Sequence, residues 1–273
     1  MRGSMAKRYD KKQQAARIMR EQRKREQRRK QLIMGGAIVA VLVVVMGIIG
    51  VALYLNQTEE VVPPKAEHTE SAIVQGDGPV TVDLYEDFMC PICKNFHGQV
   101  SQDLQQLVDE GNVTLRVHPI AILDAASEGT RYSTRSAAAA VCAADEGKFS
   151  EYTAELFANQ PPERTPGLDD AELTKLGTDL GLGQSFSSCV ADKTYRGWVQ
   201  QATDTAAGDK VTATPTVFVN GEKVTVAPNQ GIDAVIAQFE KDLTAALEAA
   251  GITPAANPDT GDHRAPDGET TRD

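Results

Sequence analysis

Two of the four cysteines, Cys90 and Cys93, stand in the stretch YEDFMCPICKNF with only Pro91 and Ile92 between them. A C-x-x-C pair can be a structural clip, half of a metal site or a reversible redox couple. Zinc asks for four ligands, usually from a second C-x-x-C or a nearby His pair. Cys142 and Cys189 are isolated and no H-x-x-x-H occurs, so no metal or other cofactor is expected. A bridge closing so small a loop constrains little chain entropy, which argues against a clip. If a helix starts here, Cys90 meets unpaired N–H groups and the positive end of the dipole. Both favour its thiolate over the ordinary pKa of about 8.5. Pro91 suits the first helical position, and Cys93, three residues on, can resolve a mixed disulfide on Cys90.

The elements that must hold this pair follow from periodicity. PVTVDLY (79–85) is a β-branched run bounded by Gly78 and predicts a strand. Phe96, Val100, Leu104 and Leu107 fall on one face of a helix from Pro91 to Glu110, which Gly111-Asn112 ends, and VTLRVH (113–118) predicts a second strand. That is a β-α-β unit with parallel strands. Helix is expected over 134–158, again after the capping-box pair Asp169 and Glu172, and over 184–207, which contains Trp198. TPTVFVNGEKVTV carries Asn220-Gly221 as a hairpin turn, and Ile232, Val235, Ile236, Phe239, Leu243 and Leu247 mark a closing amphipathic helix. The fold class is therefore α/β.

Charge divides the chain. Residues 1–32 carry 13 Lys/Arg against 3 Asp/Glu, a net +10, and the remainder 15 against 35, a net −20. Between them LIMGGAIVAVLVVVMGIIGVALYL, Leu32 to Leu55, holds no charge over 24 residues. At 1.5 Å per residue such a helix covers roughly 36 Å, enough to cross a membrane. The basic segment 1–31 then faces the cytoplasm, and everything after Asn56 lies outside. Without a good small-x-small cleavage site the segment reads as an uncleaved signal-anchor of a single-pass membrane protein. Beside a span the basic run serves orientation and anionic lipid, and with 5% aromatic residues no nucleic-acid partner is expected. Residues 56–77, with Pro63-Pro64, read as an extended extracytoplasmic linker, and 251–273 as a disordered tail.

Over Pro79 to Ala249, CPICKNF followed by His97, then AAAAVCAADEGKF and VTATPTVFVNG, resemble in kind and order the DsbA-like thioredoxin-fold family. The resemblance implies a thioredoxin fold over 78–250 with a helical insert at about 120–208, preceded by the one transmembrane helix. It implies that Pro215 is a cis-proline facing the active-site pair, leaving the backbone of Thr214 free to meet an extended peptide. Cys142 and Cys189 lie on two predicted helices of an exported domain, where thiols tend to pair. Some members of the family carry a second disulfide across the insert, so a structural bridge is expected over two buried free cysteines.

The chain departs from the family at two places. Where many relatives place a buried acid, six positions before the first cysteine, it has Leu84; flanking Asp83 and Glu86 read as solvated charges. Ile92 gives the thiolate no donor, so Cys90 should be less acidic and the couple a weaker oxidant than in Pro-His relatives. His97 and His118 read as ordinary polar residues. The expected activity is an extracytoplasmic thiol-disulfide oxidoreductase, a monomer that oxidises exported cysteine-containing proteins and is reoxidised by a membrane-bound quinone-linked enzyme. The alternatives are a reductase or isomerase using the same couple, and a non-enzymatic anchored binding module.

Overall fold

In the computed structural model, residue 34, residues 42–47 and residues 59–253 are described. The chain divides into Met1–Thr58 and Glu59–Asp273. In the first unit residues 42–47 are helical. The basic segment, most of the expected span and nearly all of the expected tail lie outside the described residues. Among the described residues no helix is long and apolar enough to cross a membrane.

Burial at alternate positions makes β2 (Val80–Glu86) the centre of the second unit: Val80, Val82 and Leu84 all point into the core. Helix α1 (Pro91–Asp109) carries the chain to β3 (Val113–Pro119), which lies parallel to β2 with Leu84 beside Val117. Strand β4 (Thr216–Val219) pairs antiparallel on the other side of β2, and β5 (Glu222–Lys223) pairs with β4. A short β1 (Ile73–Gln75) runs antiparallel to β3, giving the order β1-β3-β2-β4-β5. The Asn220-Gly221 turn has φ of 49° and 81°, the left-handed pair that a two-residue hairpin needs.

Helix α1 buries Cys93, Phe96, Val100, Leu104 and Val108, one face at steps of three and four. Against it packs α7 (Ile232–Ala249), with the rings of Phe96 and Phe239 5.6 Å apart. Between β3 and β4 stands the insert: α2 (Tyr132–Ala144), α3 (Phe149–Ala158), α4 (Asp170–Asp179), α5 (Gln184–Ala191) and α6 (Arg196–Gly208). Helix α2 is its axis. The small side chains Ala137 to Ala140 let α3, α4, α5 and α6 all approach it. Asp169 caps α4 as its sequence implies, accepting from the Glu172 amide at 2.8 Å while Glu172 accepts from the Asp169 amide at 2.7 Å.

Two expected helices are broken, and a linker is docked. The 134–158 region breaks after Ala144, with Gly147 at φ 72° before the second helix, and the 184–207 region breaks around Lys193, with φ 59°. Residues 59–77 are no free linker. Asp145 accepts from the amides of Lys65 and Ala66, at 2.7 and 3.1 Å, and from the Tyr195 hydroxyl. Gly197 lets this segment lie flat, since a Cβ there would stand 2.3 Å from the Glu60 carbonyl. The folded unit thus starts at Glu59 rather than near Gly78, because partners about 80 residues away supply its hydrogen bonds.

The sulfurs of Cys142 and Cys189 are bonded at 2.02 Å, joining α2 to α5 across a sequence separation of 47. Replacing both cysteines by alanine should lower unfolding free energy by ~4 kcal/mol in the chain-entropy description. Urea melts of the oxidised parent and the variant measure this, and the redox equilibrium of Cys90 and Cys93 should stay within twofold or so of the parent.

Candidate active site

β2 ends at Glu86, three residues turn, and Cys90 becomes the N-cap of α1 in an extended conformation, φ −77° and ψ 116°. The Cys90 sulfur accepts from the Cys93 amide at 3.4 Å, and the Cys90 amide donates to the Asp87 carbonyl at 2.9 Å. Both cysteines are free thiols here, 5% and 1% exposed. The Cys90 pKa is lowered to about 6, chiefly by the thiol of Cys93. The Thr214 side chain and the amides of Cys93 and Ile92 add to this, and burial opposes it. The Cys93 thiol moves the other way, pushed well up first by burial and then by Cys90. One sulfur is a nucleophile near neutral pH and the other is held protonated behind it.

The peptide bond between Thr214 and Pro215 is cis, and the Thr214 carbonyl lies 3.4 Å from the Cys90 sulfur. The structure therefore brings Cys90, Cys93, Thr214 and Pro215 together, while Cys142 and Cys189 brace the insert. Among the described residues no three His, Cys, Asp or Glu side chains cluster as metal ligands would.

Two side chains that sequence reasoning missed hold the turn. Asp87 is fully buried and accepts from the Met89 amide (2.9 Å), the Leu123 amide (2.9 Å) and the Ser133 hydroxyl (2.7 Å). Burial nonetheless pushes its pKa up to about 7. The contact to an amide two residues on is an Asx-turn, which an Asp three positions before the cysteine could have signalled. Gln160, beyond α3, donates from Nε2 to the carbonyls of Phe88 and Cys90, both at 3.0 Å. Nothing in its local sequence marks it.

The reading of Asp83 and Glu86 as solvated charges needs correction. Asp83 takes His118 Nε2 at 3.1 Å, and His118 stacks on Tyr85 with centroids 3.9 Å apart and meets the Ser71 hydroxyl at 3.1 Å. Glu86 points to the other face of the sheet, on the same side as Leu84, into a pocket of about 280 Å³ that it lines with His97, Val100 and Leu104. It is only 3% exposed, because α1 and α3 cover this face. With no side-chain partner to offset burial, its pKa rises to about 8. Burial also lowers His97 to about 4, so neither group is charged at pH 7.

A raised carboxyl pKa has a definite sign. An unfolded glutamate ionises near 4.5, whereas folded Glu86 keeps its proton to about pH 8. Folding stability contributed by this site is intact below pH 4.5 and is lost as pH rises towards 8. Glu86→Gln cannot ionise, so its stability should match or exceed the parent's increasingly from pH 5 to pH 8.5, by a few kcal/mol at most. Urea melts across that range check this, and parallel curves would refute it.

Comparison with known proteins follows the same outline. A family model described as Thioredoxin matches residues 68–246. The solved structure of reduced DsbA from Mycobacterium tuberculosis is similar at 30% identity and a TM-score of 0.52, covering 66% of this chain and 99% of that one. Among curated proteins, the serine/threonine-protein kinase PknE of Mycobacterium tuberculosis is 30% identical over 150 residues, 51% of this chain and 26% of that protein. Disulfide bond formation protein D of Bacillus subtilis is 27% identical over 153 residues, 54% of this chain and 66% of that protein. The chain thus spans 26% of the length of the kinase relatives it matches.

Proposed function

This chain belongs to the thioredoxin family, among its DsbA-like thiol-disulfide oxidoreductases, and from that premise we propose that it oxidises cysteine pairs in exported proteins. The observation that carries the reading is the asymmetry of the two thiols. Cys90 is set down to about 6 at a helix N-terminus, and Cys93 is buried and set well up.

In the oxidised protein a substrate thiolate attacks the Cys90 sulfur, the Cys90–Cys93 bond breaks, and Cys93 leaves with the electron pair and takes up a proton. The second substrate thiolate then attacks the substrate sulfur of the mixed disulfide. The substrate leaves with a disulfide and the protein is left as the dithiol. Two electrons have passed to the protein. Its low pKa makes Cys90 the better leaving group in the second step, which favours this direction. Ile92, 52% exposed beside Cys90, offers an apolar contact to an unfolded chain.

The cycle closes when a membrane-bound, quinone-linked enzyme accepts those electrons. The reading places the protein in the cell membrane, N-terminus inside and residues 59–253 outside. It is supported by the uncharged segment 32–55 after a basic run and by the Cys142–Cys189 bridge, which suits an oxidising compartment.

The test is refolding of a reduced, cysteine-containing substrate by the oxidised protein. Cys90→Ser should abolish activity, at least a hundredfold or so, and Cys93→Ser should accumulate mixed disulfides on Cys90. Full activity in Cys90→Ser would sink the proposal. A redox potential below that of the glutathione pool would reverse its direction to reduction.

A further inference from the structure

The peptide group between Phe88 and Met89 is held at both ends by side chains. Its carbonyl accepts from Gln160 Nε2 at 3.0 Å, and its N–H donates to Asp87 Oδ1 at 2.9 Å. Asp87 is itself tied by Ser133 on α2 at 2.7 Å. The same Gln160 nitrogen reaches the Cys90 carbonyl, also at 3.0 Å. Both partners of this nitrogen are carbonyl oxygens, so the amide can sit only one way round.

We infer that Gln160 is a positioning residue for the redox couple: it turns the carbonyls on either side of Met89 towards the insert, away from the Cys90 sulfur. The inference rests on the reading of Cys90 as the redox nucleophile. Carbonyl oxygens are the negative ends of peptide dipoles, and one turned towards a thiolate opposes it as an N–H favours it. The Cys90 carbonyl needs the more control, because Pro91 leaves that peptide group with no N–H. Within α1 only the Lys94 amide holds it, at 3.2 Å. Gln160 adds the second donor, and the first turn keeps the Cys93 amide aimed at the sulfur. A charge sits on that sulfur in the dithiol and not in the disulfide, so the contact favours the reduced state and strengthens the oxidant.

Full-length Gln160→Leu keeps the bulk and removes both donated bonds. Its Cys90 thiolate titration, followed at 240 nm or so, should move to higher pH. Its equilibrium with glutathione should shift roughly three- to tenfold towards the protein disulfide. Gln160→Glu can donate only when protonated, so it should behave like the leucine variant at neutral pH and approach the parent in acid. A leucine variant that melts earlier with titration and equilibrium unchanged makes Gln160 a strut and overturns the inference. If the leucine variant does not fold, a glutamate variant matching the parent at every pH overturns it. A parent that never equilibrates with glutathione would instead sink the functional reading beneath it.

Discussion

The register between the end of β2 and the start of α1 is the constraint on which the site depends. The strand stops at Glu86 and the helix begins at Pro91, so Cys90 alone occupies the position where the first-turn N–H groups converge. One residue later, the sulfur would belong to the helix body and lose the Cys93 amide. One turn further in, Cys93 lies on the face that α1 buries with Phe96 and Val100. The same helix therefore gives two chemically identical side chains opposite electrostatic settings, and that difference is what a directional exchange of disulfides uses.

The helical insert takes part in this. Asp87 binds Ser133 at the start of α2, and Gln160 reaches back from beyond α3, so the turn is gripped from two points of one bundle. The small-residue core of α2 lets the helices of the bundle pack closely, and the Cys142–Cys189 bond ties α2 to α5.

What the sequence makes legible is what local pattern determines. Two cysteines before an amphipathic helix, the Asp169–Glu172 box and Asn220-Gly221 each carry their geometry in a few neighbouring residues. What stays hidden is decided by distant partners. The three residues of β1 are too few for a period and exist because β3 offers an edge. Lys193 gives no hint of its left-handed backbone, which glycine would have announced. Glu86 reads as a surface charge because its burial comes from α1 and α3, and Gln160 is 70 positions from the carbonyl it holds.

Glu86 also alters what Leu84 means. A leucine at the inward position suggests an apolar floor with no ionisable group, yet the strand returns to the same face two residues later with a carboxyl. Held to about pH 8 in its neutral form, that carboxyl adds no negative charge behind the thiolate at neutral pH. The pKa of Asp87, whose charge interacts with that of Cys90, is also pushed up, to about 7. As pH rises both acids ionise, and the charge of Asp87 and that of the Cys90 anion disfavour one another. The Ile92 side chain supplies no donor to the sulfur, whose acidity comes from Cys93, Thr214 and the amides of Cys93 and Ile92 and is opposed by burial. Charge on Asp87 therefore opposes the acidity that the first turn gives Cys90, and the setting of the sulfur depends on how far that acid has ionised.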